Sequence, residues 1–104
     1  MILYYIPCPD KECAEKISRT LLTEKMIGCA NIIPGMTSMY WWEGKIETSS
    51  EYILILKTLE SSDARKNLEK RVQELHPYEV PCIMALPVAG INDSFKNWLE
   101  QNLK

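Results

Sequence analysis

The chain has one histidine, one phenylalanine, only four glycines and no two cysteines in CxxC spacing. Each scarcity removes a class of chemistry. A single His leaves no HExxH metalloprotease helix, and the scattered glycines form no phosphate-cradling loop. There is no Ser/His/Asp order in a recognisable motif. Glu43, Glu47 and Glu51 recur along one stretch without a partner acid at defined spacing, which reads as a solvated face. The expectation is therefore a non-enzymatic protein with no organic cofactor. Cys8, Cys13, Cys29 and Cys82 lack zinc-finger spacing as well. Three of them lie in ordered, largely apolar segments, so reduced thiols are expected rather than a disulfide framework. Excess positive charge is also missing. The formal net charge of −2 gives no attraction to nucleic acid or to an anionic membrane. No RNP-type basic and aromatic run is present either. The apolar N-terminal run Met1–Ile6 stops at Pro7, too short for a secretory segment or a membrane span. The protein is read as cytoplasmic by default. Repeats, linkers and low-complexity segments are lacking, and 104 residues suit one domain, 1–104.

What the chain does have is concentrated between Gly28 and Lys57. Glu43-Gly44 sits between aromatic and β-branched residues, a strong hairpin signal because Gly supplies the positive φ of a tight turn. Pairing Trp42 with Lys45 sets Tyr40 opposite Glu47 and Ser38 opposite Ser49 on one face. Trp41 with Ile46, and Met39 with Thr48, take the other. Pro34-Gly35 interrupts the first strand, and since proline cannot donate to the ladder, a bulge is expected there. A strand from Cys29 to Trp42 would reach about 46 Å at the usual rise. A compact domain of this length is only about 33 Å across. The hairpin should project, carrying Tyr40, Trp41, Trp42 and Ile46 at its tip. Such apolar surface needs a second chain to cover it.

Around this hairpin the order is simple. Ile2–Ile6 reads as a buried central strand ended by Pro7. Asp10 caps a helix whose Ala14, Ile17 and Leu21 recur at helical spacing, with Gly28 as its left-handed terminator. The hairpin's return strand ends in Tyr52–Leu56, apolar on both faces. Ser61 or Ser62 caps a second helix with Ala64, Leu68, Val72 and Leu75 inward. Cys82–Val88 reads as the last strand, and Asn92 or Asp93 starts a short helix bearing Phe95, Trp98 and Leu99. Strand, helix, strand, strand, helix, strand and a terminal helix make an α+β, ferredoxin-like βαββαβ sandwich. With helices on one face of its sheet, the apolar opposite face calls for a closed homo-oligomer.

At these residues the chain resembles the CutA divalent-cation tolerance family. Cys29-Ala-Asn, Pro34-Gly35 and Ser38-x-Tyr40-Trp41-Trp42-Glu43-Gly44-Lys45 carry the likeness. Glu51, Lys57-Thr58, His76-Pro77-Tyr78-Glu79-Val80-Pro81, Leu86-Pro87 and Trp98 continue it over essentially the whole chain. Gly28, Cys82 and Phe95 depart from the family's usual Ala, Glu and Tyr. The resemblance implies a tight trimer with the architecture of PII signalling proteins, and an association with tolerance of copper and other divalent metals.

Copper favours thiolate and imidazole ligands. Family members with proposed copper ligands use a Cys at the end of the first strand and two His before Pro-Tyr. Here Ile6 and Leu75 stand at two of those places, leaving His76. Cys8 lies two residues beyond Ile6, on the same face if the strand continues through Pro7. Cys8 and His76 are thus the candidate metal ligands, against the plainer reading of His76 as a helix cap. Cys13 falls in a first helical turn, while Cys29 and Cys82 read as core. Tyr40, Trp41, Trp42, Lys57, Tyr78 and Glu79 are candidate subunit-interface or cleft residues. The expected protein is a homotrimer that binds copper or another divalent cation weakly. The alternative is a PII-like sensor binding a small molecule or a protein partner at its subunit clefts.

Overall fold

Asp10 and Ser61 start the two long helices. In the computed structural model, which describes residues 1–103, each accepts from the amide three residues on. Asp10 takes the Cys13 amide at 2.7 Å and Ser61 the Ala64 amide at 3.1 Å. From these caps run α1 (Lys11–Thr23) and α2 (Ser62–Leu75). The strands are β1 (Ile2–Cys8), β2 (Cys29–Trp42), β3 (Lys45–Thr58) and β4 (Met84–Pro87), and α3 spans Asp93–Asn102. The sheet order is β2-β3-β1-β4 with every pair antiparallel, the ferredoxin-like arrangement.

Alternation along β1 divides the sheet's two faces. Ile2, Tyr4, Ile6 and Cys8 are buried on one of them together with Leu54 and Leu56 of β3. Ala14, Ile17 and Leu21 of α1 and Leu68 and Val72 of α2 close over these side chains. Each such large aliphatic side chain contributes about 1.5–3 kcal/mol of burial. Leu3, Tyr5 and Pro7 point to the other, open face.

The hairpin adopts the register that its turn dictates. Glu43 (φ 50°) and Gly44 (φ 78°) both take positive φ, as a twist-matched two-residue turn requires. Trp42 faces Lys45, Tyr40 faces Glu47 and Ser38 faces Ser49. The register shifts between Ile33, opposite Ile53, and Met36, opposite Glu51. Pro34-Gly35 therefore spans one extra residue, with Gly35 at φ +81°. The two 14-residue strands stretch the molecule to 45 × 25 × 24 Å.

Several local expectations are corrected. Pro7 does not end β1, which continues to Cys8 opposite Tyr52. Pro7 still faces Ile53 of β3, but pairing with β4 stops at Tyr5–Met84, so no ladder runs along its other side. For the same reason the last strand begins at Met84 rather than Cys82. The register would set Cys82 opposite Pro7, and Cys82 is exposed rather than core. Gly28 is not the helix terminator. Lys25 takes the left-handed conformation (φ 60°), while the Gly28 amide donates to the Lys57 carbonyl at 3.0 Å. Gly28 serves packing instead: a Cβ there would lie 2.1 Å from Leu99 Cδ1. Ala64 is exposed rather than inward, at the rim of a cavity beside Thr58.

Candidate functional site

Three elements converge at the end of the sheet where β1 finishes. Cys8, the last residue of β1, faces the helices because even positions of that strand do, and it has no exposed surface. Cys13 enters from the first turn of α1, placed three residues after the Asp10 cap. His76 follows α2 as its C-cap, in extended conformation, with its amide on the Val72 carbonyl at 2.8 Å. The sulfur atoms of the two cysteines and a ring nitrogen of His76 all lie within 4.8 Å of one another. Among the described residues this is the one such trio.

The hydrogen bonds of His76, which is 6% exposed, define its tautomer. Nε2 lies 2.8 Å from the Pro7 carbonyl, which can only accept, so Nε2 carries the proton. The Tyr78 amide donates to Nδ1 at 3.2 Å, so Nδ1 is bare. The ring is a neutral cap that ties the end of α2 to the end of β1. Burial pushes the Cys8 thiol far above its ordinary pKa, and neighbouring Cys13, Glu51 and Asp10 add to the shift. Burial raises the Cys13 thiol too, partly offset by the Cys8 hydrogen bond and by Lys16. Both thiols are therefore protonated at neutral pH. Two sulfurs and an imidazole form a soft donor set, suited to thiophilic ions rather than to calcium or magnesium.

Beside the trio, the Tyr78 hydroxyl donates to Glu51 Oε2 at 2.7 Å, and its ring stands 4.7 Å from that of His76. Glu51 is 6% exposed. Burial first, and then the Glu51 hydrogen bond, raise the Tyr78 hydroxyl above the usual phenol range. This contact fastens the loop after α2 to the root of the hairpin.

The remaining candidates do not gather into one place. Trp41 lies on the arm with Met39 and Ile46; Tyr40 and Trp42 lie on the arm's other face. Tyr40 Oη and Ser49 Oγ are 3.3 Å apart. Glu79 is exposed on the loop after α2. Lys57 sits over the Phe95 ring at 5.3 Å. It is six residues from Glu51 along β3, about 20 Å at the usual rise. The residues missed by the sequence reading are Cys13 as a third donor and Glu51 as the partner of Tyr78. The available signal was Cys8-x4-Cys13 across a strand-to-helix turn, which matches no established ligand spacing. A cavity of about 290 Å³ lies at the opposite end of β1 among Met26, Thr58 and Ala64, away from both thiols and the imidazole.

Comparison with known proteins gives the family and the overall fold. The family described as CutA1 divalent ion tolerance protein matches residues 2–102. The divalent-cation tolerance protein CutA of Pyrococcus horikoshii is 45% identical over 104 residues, covering 100% of this chain and 99% of the relative. The chloroplastic protein CutA 1 of Oryza sativa subsp. japonica is 40% identical over 104 residues, covering 99% of this chain; the match spans 57% of that longer relative. The crystal structure of CutA1 from Pyrococcus horikoshii matches with a TM-score of 0.90 at 45% identity, covering 100% of this chain and 99% of that one. The chain belongs to the CutA1 divalent ion tolerance family.

Proposed function

We propose that this chain acts in divalent-cation tolerance as a cytoplasmic, non-enzymatic homotrimer that binds copper or another thiophilic cation reversibly through Cys8 and His76. The carrying observation is the approach of their ligand atoms to within 4.8 Å at the sheet's end. A reducing cytoplasm keeps such thiols free to bind metal. Support for self-association is separate. Trp41 and Ile46 expose 72% and 61% of their surface on an arm that extends the molecule to 45 Å. Apolar surface of that kind marks an interaction site.

Isothermal titration of the reduced protein with Cu(I), Cu(II) and Zn(II) tests the binding. Stoichiometric uptake should vanish in Cys8→Ser and weaken in His76→Ala. Millimolar affinity unchanged in both variants would end this reading. Sedimentation equilibrium tests assembly independently, with three times the chain mass of 12.0 kDa expected.

A further inference from the structure

Cys8 and His76 supply two ligands, and a third donor stands beside them. We propose that Cys8, Cys13 and His76 together form a three-ligand site for one thiophilic divalent cation of the zinc(II) class, with Cys13 the residue that sets this preference. The inference rests on the reading that Cys8 and His76 take a metal, and it names the ion and the missing ligand.

With both thiols ionised, charge balance among the three ligands favours a divalent ion. Cys8 has no exposed surface and His76 only 6%, and a net charge in such surroundings is costly. Two thiolates and a neutral imidazole cancel a 2+ ion. Cys8 alone would leave the site at +1, and a monovalent ion held by both thiolates would leave it at −1. The Cys13 sulfur is thus the element of charge balance as well as a ligand.

Geometry supports the same set. Around a tetrahedral ion with Zn–S of about 2.3 Å and Zn–N of about 2.0 Å, neighbouring ligand atoms stand roughly 3.5–3.8 Å apart. The three donor atoms already lie within 4.8 Å, so closure requires a contraction of no more than about 1.3 Å, within reach of side-chain rotation. The His76 ring is also oriented for the task. Its Nε2–H is held by the Pro7 carbonyl, the kind of outer bond that orients metal-binding imidazoles and leaves the other nitrogen to ligate. Nδ1 accepts the Tyr78 amide at 3.2 Å, a bond that a metal ion on this nitrogen would have to displace. Three protein ligands leave a fourth position for water, which keeps the ion exchangeable.

The test is an anaerobic titration of the reduced full chain with Co(II), a coloured stand-in for Zn(II). One equivalent per chain should produce sulfur-to-cobalt charge-transfer absorption and tetrahedral visible bands, both erased by one equivalent of Zn(II). Cys13→Ser should halve the charge-transfer intensity per bound cobalt and weaken affinity by about tenfold or more. Cys82→Ser, at an exposed position, should match the parent protein. Cys13 is itself only half-buried, and circular dichroism confirms that its variant is folded. Proton release on Zn(II) binding at pH 7 needs no variant: two protons per ion are expected, because both thiols must ionise. One proton, or a Cys13→Ser protein indistinguishable from the parent, overturns the inference. If Cu(I) uptake still depends on Cys8 and His76, the proposed function survives that result. Absence of uptake for every ion removes both.

Discussion

Ile6, Leu54 and Leu56 expose none of their surface, whereas Met39, Trp41 and Ile46 in the same four-stranded sheet expose 70%, 72% and 61%. The first group is covered by α1 and α2, whose apolar stripes come from the same chain. The second lies on an arm that outruns both helices. Equal hydrophobicity thus has opposite outcomes, and the difference is the distance from a covering element. Folding covers the body within one chain but leaves the arm's apolar residues exposed. Two populations of apolar residue follow, one buried in the body and one exposed on the arm, where the proposed association would use it.

Substitution at the tip should separate them most strongly. Trp41→Glu combined with Ile46→Lys should convert the proposed homotrimer to monomer with its circular dichroism intact, as sedimentation velocity would show. Trp41→Ala alone should cost about 2–4 kcal/mol per interface, the range of buried aromatic anchors. A variant that stays assembled breaks the comparison. In the body, Ile17→Ala should cost about 2–5 kcal/mol in denaturant unfolding at constant chain concentration, with no change in assembly. Dissociation of that variant before unfolding would show the two regions to be coupled.

Gly28→Ala sharpens the contrast further, because it probes a junction between α3 and the sheet. The added Cβ would meet Leu99 Cδ1 at 2.1 Å, and displacing that fully buried side chain should cost about 1–3 kcal/mol. Leu99→Ala in the same chain should absorb the clash, so a double-mutant cycle should return a favourable coupling. The smallest effect belongs to the surface. Arg71 holds Glu24 by three contacts of 2.7–3.2 Å and so lowers the Glu24 pKa from its ordinary value. A lowered folded-state pKa stabilises above the unfolded value and loses that stabilisation as pH falls through the folded one. The stability difference between the parent and Glu24→Gln should therefore be present at pH 7. It should shrink as pH drops below the usual carboxylate range. Because the pair is exposed, salt should reduce it as well.

The body and the arm were not equally legible in the sequence. Glu43-Gly44 and Pro34-Gly35 announced the hairpin, its register and its bulge, because turn chemistry and period-two alternation act over a few residues. The Asp10 and Ser61 caps were readable for the same reason. The extent of β1 and β4 was not. It depends on Pro7 standing where Cys82 would pair, and that juxtaposition arises from strands almost the whole chain apart. Lys25 took the left-handed turn in place of Gly28, since packing against Leu99 decided the glycine's role. Of the candidate metal ligands, His76 could be named from the family resemblance, and Cys8 from that resemblance together with strand alternation. Cys13 could not, because only the crossing of α1 over the end of β1 brings its sulfur near theirs.

By itself the sequence determined the order of elements, the hairpin's pairing, and the apolar stripes that bury one side of the sheet. Each follows from backbone sterics and side-chain period, which are properties of neighbouring residues. Tertiary structure alone decided which thiol joins Cys8 and His76, which carboxylate receives Tyr78, and why Gly28 must lack a side chain. Those contacts form where separate elements pack, and no local rule specifies the space between them.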